Sequence, residues 1–196
     1  MSAVPKTRLT PEQYLAIERK AAYKSEYYNG EMFAMAGASE PHNRIKDNLI
    51  GELYGRLKGS GCHSYSSDMR VKVSRTGLYT YPDVVIVCGR PELEDAVGDT
   101  LLNPQVVIEV LSDSTEKYDR GKKFRHYKRI EALREYVLVA QDEPVIERFV
   151  RQPDGSWNAT AVEGPGAEFV FATVPVRVPL ADIYAGVAFP ADGTDV

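Results

Sequence analysis

The fold is decided by two apolar runs, each of which carries one carboxylate. The first run is Tyr81-Pro82-Asp83-Val84-Val85-Ile86-Val87-Cys88, and the second is Val106-Val107-Ile108-Glu109-Val110-Leu111. Continuous apolar runs of this length are typical of strands in the middle of a sheet. Asp83 is therefore predicted at the mouth of one central strand and Glu109 inside the next.

A carboxylate inside an apolar strand needs a compensating partner, because an unpaired buried ion loses several kcal/mol of solvation free energy. A divalent cation would compensate Asp83 and Glu109 together. Mg²⁺ prefers oxygen ligands, usually takes one or two carboxylates and keeps water or phosphate oxygens in its other positions. The alternative is a buried carboxylate pair that lysine or arginine neutralises without metal.

The residues before these runs predict a helix, a hairpin and a second helix. Thr10-Pro11-Glu12-Gln13 has the pattern of a helix start with a capping box. Asn29-Gly30 predicts a two-residue hairpin turn, which places Glu26 on a hairpin strand. From 41 to 58, apolar residues recur at every fourth position and predict a helix that begins near His42. Alternating polarity predicts one half-buried strand from 64 to 73.

Beyond the second run, the sequence predicts a helix from about 112 to 133, a buried strand at 136–139 and a hairpin from about 145 to 162. A loop is expected at 89–103, and a tail punctuated by proline after Phe171. These elements predict an α+β (mixed α/β) fold, with a central mixed sheet flanked by helices. A length of 196 residues predicts a single domain over 1–196.

The helix after the second run is rich in lysine and arginine. With a period of 3.6 residues, Asp119, Lys123 and Tyr127 lie on one stripe, so Lys123 can point inward while Lys122 points elsewhere. An ordinary solvated helix lysine is the other interpretation of Lys123.

Composition constrains the function. The 24 basic and 28 acidic side chains give a formal net charge of -4, the wrong sign for a protein that coats nucleic acid through counterion release. An enzyme that binds metal is not excluded, because its site must concentrate carboxylates. The sequence shows no signal-peptide pattern and no apolar stretch that could span a membrane, so we expect no membrane partner and a cytoplasmic location. Cys62 and Cys88 show no disulfide-framework spacing, and a reduced, buried Cys88 is expected.

The motifs resemble a known family. Tyr81-Pro82-Asp83, the segment from Ile108 to Thr115, Asp119-Arg120-Gly121-Lys122-Lys123, Tyr127 and Glu135-Tyr136 are similar to those of the Uma-two type restriction endonucleases, within the PD-(D/E)xK nuclease superfamily. The resemblance extends from Thr10 to about Val187. Glu26, Asn29-Gly30-Glu31 and His42 also match the family pattern.

The resemblance implies a restriction-endonuclease-like fold and a divalent-metal-dependent endonuclease that hydrolyses DNA. It implies that Asp83, Glu109 and the Val110 carbonyl hold Mg²⁺ or Mn²⁺, which activates a water. Position 111 is Leu where the wider superfamily has lysine, and the family supplies that lysine from the following helix. Lys123 is the matching position and Lys122 the competing one. Glu26 and His42 would complete the ligand shell or assist proton transfer.

Two other functions remain open from the sequence alone. One is a catalytically inactive nucleic-acid-binding or regulatory protein on the same fold. The other is a hydrolase of a different phosphate ester, because a fold does not fix the substrate. A homodimer is expected because two cuts on a duplex are made most easily by two subunits.

Overall fold

The computed structural model of the protein describes residues 8–164 and 166–189. Its helices are α1 (Pro11–Glu18), α2 (Glu40–Leu57), α3 (Glu116–Tyr118), α4 (Phe124–Tyr127) and α5 (Leu180–Ile183), with a π-helical turn at Asp119–Lys123. Its strands are β1 (Ser25–Tyr28), β2 (Glu31–Ala34), β3 (Cys62–Ser66), β4 (Arg70–Val73), β5 (Leu78–Thr80), β6 (Val84–Cys88), β7 (Thr100–Leu101), β8 (Val106–Val110), β9 (Glu135–Val139), β10 (Val145–Arg151), β11 (Trp157–Glu163), β12 (Glu168–Val170) and β13 (Arg177–Pro179). The predicted α+β (mixed α/β) class is confirmed.

The main sheet contains both apolar runs at its centre, in the order β11-β10-β9-β8-β6-β3. Strands β6 and β8 are antiparallel, and Val84 pairs with Ile108. Strands β8 and β9 are parallel, which requires a crossover, and the helical segment 116–127 lies in that crossover. Because β6 begins where β8 ends, Asp83 and Glu109 lie at the same edge of the sheet.

The second sheet has the order β2-β1-β5-β4-β7. The predicted hairpin turn between β1 and β2 is confirmed, with positive φ at both Asn29 (51°) and Gly30 (85°). Glu26 pairs directly with Phe33 across the hairpin, so the two side chains lie on the same face. The other face carries Tyr27, which stacks on Tyr14 of α1.

The two predicted helices before the apolar runs are confirmed. Thr10 forms both hydrogen bonds of the capping box with Gln13 at the start of α1. The fourfold-spaced apolar residues of α2 are buried in the core against the main sheet. They are Ile45, Leu49, Leu53 and Leu57. No described helix is long and apolar enough to cross a membrane.

The prediction of one strand from 64 to 73 is wrong. The chain turns after β3, where the Met69 amide donates to the Ser66 carbonyl, and β4 then enters the other sheet. The alternation of polar and apolar residues continues across this turn by coincidence of spacing. The alternating pattern therefore predicted extended chain correctly for β3 and for β4, but it did not reveal the turn between them.

The predicted helix from 112 to 133 is shorter than expected, and it is not uniform. It consists of α3, the π-helical turn and α4, and it ends at Tyr127. The amides of Arg129 and Ile130 then donate three residues back, to the carbonyls of His126 and Tyr127, in tight turns. The π-helical turn contains Gly121, whose high conformational freedom suits a locally widened helix.

The expectation of a reduced, buried Cys88 is also wrong. Cys88 is half-buried and forms a disulfide with Cys62. The two cysteines are paired residues of the antiparallel β3 and β6 strands, with 3.9 Å between their Cα atoms. Their separation of 26 residues along the chain gives no sign of this register.

The C-terminal segment is more structured than the predicted tail. Strands β12 and β13 form a two-stranded sheet, and α5 follows them directly. The buried Glu135 carboxylate of β9 accepts hydrogen bonds from the Ala172 and Thr173 amides and from the Thr173 hydroxyl. Phe169 and Val178 extend the core, so this segment covers one side of the main sheet. The expected loop at 89–103 likewise includes the whole of the short strand β7.

Candidate active site

A pocket of about 800 Å³ opens where the two sheets, the start of α2 and the helical segment 116–127 meet. All six residues that the sequence predicted for the site line this pocket. They are Glu26, His42, Asp83, Glu109, Val110 and Lys123. The structure therefore brings together side chains from five separate elements or their ends.

The two strand carboxylates are held side by side by backbone hydrogen bonds. The Val110 amide donates to Asp83 Oδ2 at 2.8 Å, and the Asp83 amide donates to Glu109 Oε2 at 3.4 Å. Both bonds follow from the antiparallel β6 and β8 register, which places Asp83 just beyond the last strand pair. Local backbone geometry thus fixes the orientation of Asp83 and Glu109.

Lys123 is the cation of the site. Its ammonium Nζ lies 2.9 Å from Glu109 Oε1, 3.3 Å from Asp119 Oδ1 and 3.7 Å from Glu26 Oε1. The residue is only 6 % exposed, whereas its neighbour Lys122 is exposed. The π-helical turn places Asp119 and Lys123 on the same inward face.

Glu26 and His42 approach the carboxylate pair from opposite sides of the pocket. Glu26 accepts hydrogen bonds from the Thr80 hydroxyl and, at 3.0 Å, from the Tyr118 hydroxyl. His42 Nε2 lies 3.2 Å from Asp83 Oδ2, and within the described residues its buried Nδ1 has no hydrogen-bond partner. Glu26 therefore contacts Lys123, and His42 contacts Asp83.

Burial controls the electrostatics of this cluster. Burial, reinforced by the nearby Asp119 and Asp83 carboxylates, raises the pKa of Glu109 to about 8. Burial also raises the pKa of Asp119. Burial alone would lower the pKa of Lys123, but Glu109, Tyr127 and the other acidic neighbours raise it well above its usual value. The site holds a charged lysine among acids that resist ionisation.

Four carboxylates in the pocket face one lysine, so the site has an excess of acid. These are Glu26, Asp83, Glu109 and Asp119. In the described part of the chain, no three acidic, histidine or cysteine side chains form a metal cluster by themselves. Two carboxylates and a backbone carbonyl are nonetheless enough for Mg²⁺, which keeps several waters. The donor chemistry and the excess acid fit a divalent cation beside Asp83 and Glu109.

Sequence reasoning missed part of this site. Tyr127 donates to Glu109 Oε1 at 2.7 Å, and Asp119 supports Lys123, although both were placed only on a helical stripe. A buried acid four residues before an inward lysine was a signal for Asp119. The contacts of Thr80 and Tyr118 with Glu26 had no such signal, because they depend on the pairing of β1 with β5 and on where α3 packs.

The raised pKa of Glu109 predicts how stability depends on pH. The native carboxyl keeps its proton up to about pH 8, whereas the unfolded chain releases it near its ordinary pKa of 4.5. This contribution to stability is therefore complete below pH 4.5 and is lost as the pH rises toward 8. We expect Glu109→Gln to be more stable than the wild type at pH 8 by a few kcal/mol, with little difference at pH 4.5. Urea unfolding of both proteins, without metal, measures the difference; an equal difference at both pH values would contradict this cause.

Comparison with known proteins supports the family resemblance. Residues 11–180 match the model of the Uma2 family, which is described as "Putative restriction endonuclease". The uncharacterized protein slr1290 of Synechocystis sp. (strain ATCC 27184 / PCC 6803 / Kazusa) is 36% identical over 190 residues, which cover 95% of this chain and 97% of that protein. The uncharacterized protein sll1609 of the same strain is 34% identical over 168 residues, which cover 86% of this chain and 95% of that protein.

A solved structure is similar in fold. The crystal structure of a putative nuclease belonging to DUF820, from Anabaena variabilis ATCC 29413, superposes with a TM-score of 0.74. It has 16% sequence identity, and the match covers 92% of this chain and 99% of that chain. At this identity the likeness concerns the fold alone, and it confirms the predicted nuclease-like architecture. Since the family model covers most of the sequence, this chain belongs to the Uma2 restriction endonuclease family.

Proposed function

We propose that this chain is an endonuclease that hydrolyses phosphodiester bonds of DNA and depends on Mg²⁺ or Mn²⁺. The observation that carries the proposal is the pairing of Asp83 and Glu109 at one sheet edge, with Lys123 Nζ 2.9 Å from Glu109 in the same pocket. Two acids and a lysine are the groups that metal-assisted phosphodiester hydrolysis requires. The family match and the fold point to the same chemistry.

Each side chain then has a role that follows from its contacts. Asp83, Glu109 and the Val110 carbonyl would hold the cation, which supplies an acidified water and offsets charge on the phosphate. Lys123 would donate a hydrogen bond to the attacked phosphate as negative charge develops on it. Glu26 and Asp119 keep the Lys123 ammonium charged and oriented. His42 orients Asp83 through Nε2.

The direct test is nicking of supercoiled plasmid DNA by the purified wild-type protein, with Mg²⁺, with Mn²⁺ and with a chelator. The proposal expects conversion to open-circular and linear DNA with either metal and none with the chelator. Cleavage that persists in the chelator would overturn metal dependence. Failure to cleave any DNA while still binding it would favour an inactive binding protein on this fold.

Metal binding itself is expected to stabilise the protein more strongly at higher pH. The Glu109 carboxyl must lose its proton to hold a cation, and burial raises its pKa to about 8. Addition of Mg²⁺ should therefore increase the melting temperature more at pH 8.5 than at pH 6. Differential scanning fluorimetry checks this, with Glu109→Gln as the control in which the pH effect should vanish. An equal Mg²⁺ shift in wild type and variant would place the cation elsewhere.

The proposal extends to assembly and location. A homodimer would deliver two pockets to the two strands of a duplex. A cytoplasmic location would give the enzyme access to DNA. Sedimentation analysis and cell fractionation test these two points separately.

A further inference from the structure

An aromatic rim borders the candidate active site. Tyr23, Phe33 and Met35 line the same pocket as the carboxylates, and we call these three residues the rim. Tyr23 is 66% exposed and Phe33 is 49% exposed. Neither ring packs against another aromatic ring of the described residues. Exposed apolar side chains that adjoin one another at a pocket are typical of a binding surface.

The hairpin places the Phe33 side chain on the same face as Glu26 of the candidate active site. Phe33 pairs with Glu26 in the β1 and β2 register, so both side chains lie on one face of the hairpin. Glu26 on that face reaches Lys123 at 3.7 Å. Met35 continues the row, since its amide donates to the Lys24 carbonyl at the end of the hairpin. The rim is thus continuous with the carboxylate and lysine cluster.

Few cations line the described part of the pocket, so phosphate neutralisation alone does not account for DNA binding there. Besides Lys123, two lysines line its described part, and both have partners. Lys24 Nζ lies 2.6 Å from Asp68 and donates to the Ser67 carbonyl, and Lys46 Nζ donates to Asn43 Oδ1. Single and double strands both use lysine or arginine to neutralise phosphates, and where few such cations are present base stacking must supply more of the affinity. This lining offers rings instead of positive charge.

Rings of this kind recognise the faces of unpaired bases. Base stacking on aromatic side chains is tolerant of sequence and needs bases that are free of their own stack. A base inside a duplex is already stacked on both of its faces, so it cannot stack on Phe33 or Tyr23 without leaving the duplex. From these observations we infer that the substrate of this site is an unpaired stretch of DNA, whose bases stack on Tyr23 and Phe33 beside the scissile phosphate. The inference rests on the proposed nuclease function and names its substrate class.

The test measures binding apart from cleavage. Fluorescence anisotropy is recorded with Ca²⁺ in place of Mg²⁺, using a labelled mixed-sequence single strand, the same strand with abasic sites and a duplex of equal length. We expect the wild type to bind the intact single strand about tenfold more tightly than the abasic strand or the duplex. Equal affinity for the intact and abasic strands, or preference for the duplex, would overturn the inference.

Matched variants separate stacking from general hydrophobic contact. Phe33→Leu and Tyr23→Leu are each expected to weaken single-strand binding about tenfold, whereas Phe33→Tyr, which keeps a ring, should retain it. Tyr54→Leu is the control, because Tyr54 is 76% exposed on α2 and does not line the pocket. A change in sedimentation of Phe33→Leu without a change in DNA binding would make the rim a contact between copies of this chain and overturn the inference.

The outcomes also separate the inference from the proposed function. If Phe33→Leu cleaves duplex plasmid as fast as the wild type, the proposed nuclease function stands and the inference of an unpaired substrate is wrong. If the protein binds single strands through the rim but cleaves no DNA, the inferred recognition stands and the proposed catalytic function is wrong.

Discussion

Plasmid nicking by Asp83→Asn is expected to fall by at least about a thousandfold relative to the wild type, because a neutral amide binds a divalent cation much more weakly than a carboxylate does. The Asn side chain keeps an oxygen that can accept the hydrogen bond from the Val110 amide, which Asp83 Oδ2 accepts in the native protein at 2.8 Å. The variant should therefore fold, and the loss should be chemical. Time courses of supercoiled DNA under Mg²⁺ and Mn²⁺ measure it.

The matched control is Asp47→Asn, which makes the same change on an α2 side chain that is 73% exposed. It should leave nicking within about twofold of the wild type, because among the described residues its only ion pair, with Lys46 at 3.9 Å, is long and solvent-exposed. Circular dichroism and melting temperature confirm that both variants are folded. If Asp83→Asn cleaves like Asp47→Asn, the carboxylate pair is not the catalytic site.

The second large effect concerns the lysine. Lys123→Met is expected to reduce nicking at least about a hundredfold, the usual cost of losing one positioned donor to developing charge. Lys122→Met should change it by less than about twofold, because Lys122 is exposed on the other side of the same turn. The two substitutions make the same chemical change at neighbouring positions. The ratio of their nicking activities therefore reports the effect of position alone.

Lys123→Met also leaves buried carboxylates without their cation, and its stability must be measured beside its activity. Removing one partner of a buried ion pair typically costs about 3–5 kcal/mol. The double variant Lys123→Met with Glu109→Gln removes the nearest of the three acids left without a cation, so it should regain part of the lost stability while remaining inactive. A larger loss of activity in Lys122→Met than in Lys123→Met would reverse the assignment.

Much of the fold could be predicted because its signals are local. The capping residues of α1, the Asn29-Gly30 turn and the fourfold spacing in α2 each act within a few neighbouring residues. The two apolar runs indicated central strands for the same reason. Residues that appear in such local patterns were therefore placed on the correct elements.

The rest depends on register and on how sheets meet, which one sequence does not encode locally. The pairing of Cys62 with Cys88 follows from the alignment of β3 with β6. The break after β3 follows from a change of sheet that the polar alternation conceals. For the candidate site, a charge within an apolar run identified Glu109, but the support of Lys123 by Asp119 required the π-helical turn.

The crowding of acids around Lys123 has a consequence for the engineering of this protein. Heat-resistant variants arise where an unfavourable native feature is removed, and functional sites are a frequent source of such features. In this fold, neutralising Glu109 is expected to raise thermostability at about pH 8 and above, where the native carboxyl would otherwise carry a charge that burial disfavours. A library selected for heat resistance alone would accumulate variants that are stable but inactive. Selection must therefore include a test for DNA cleavage at every round.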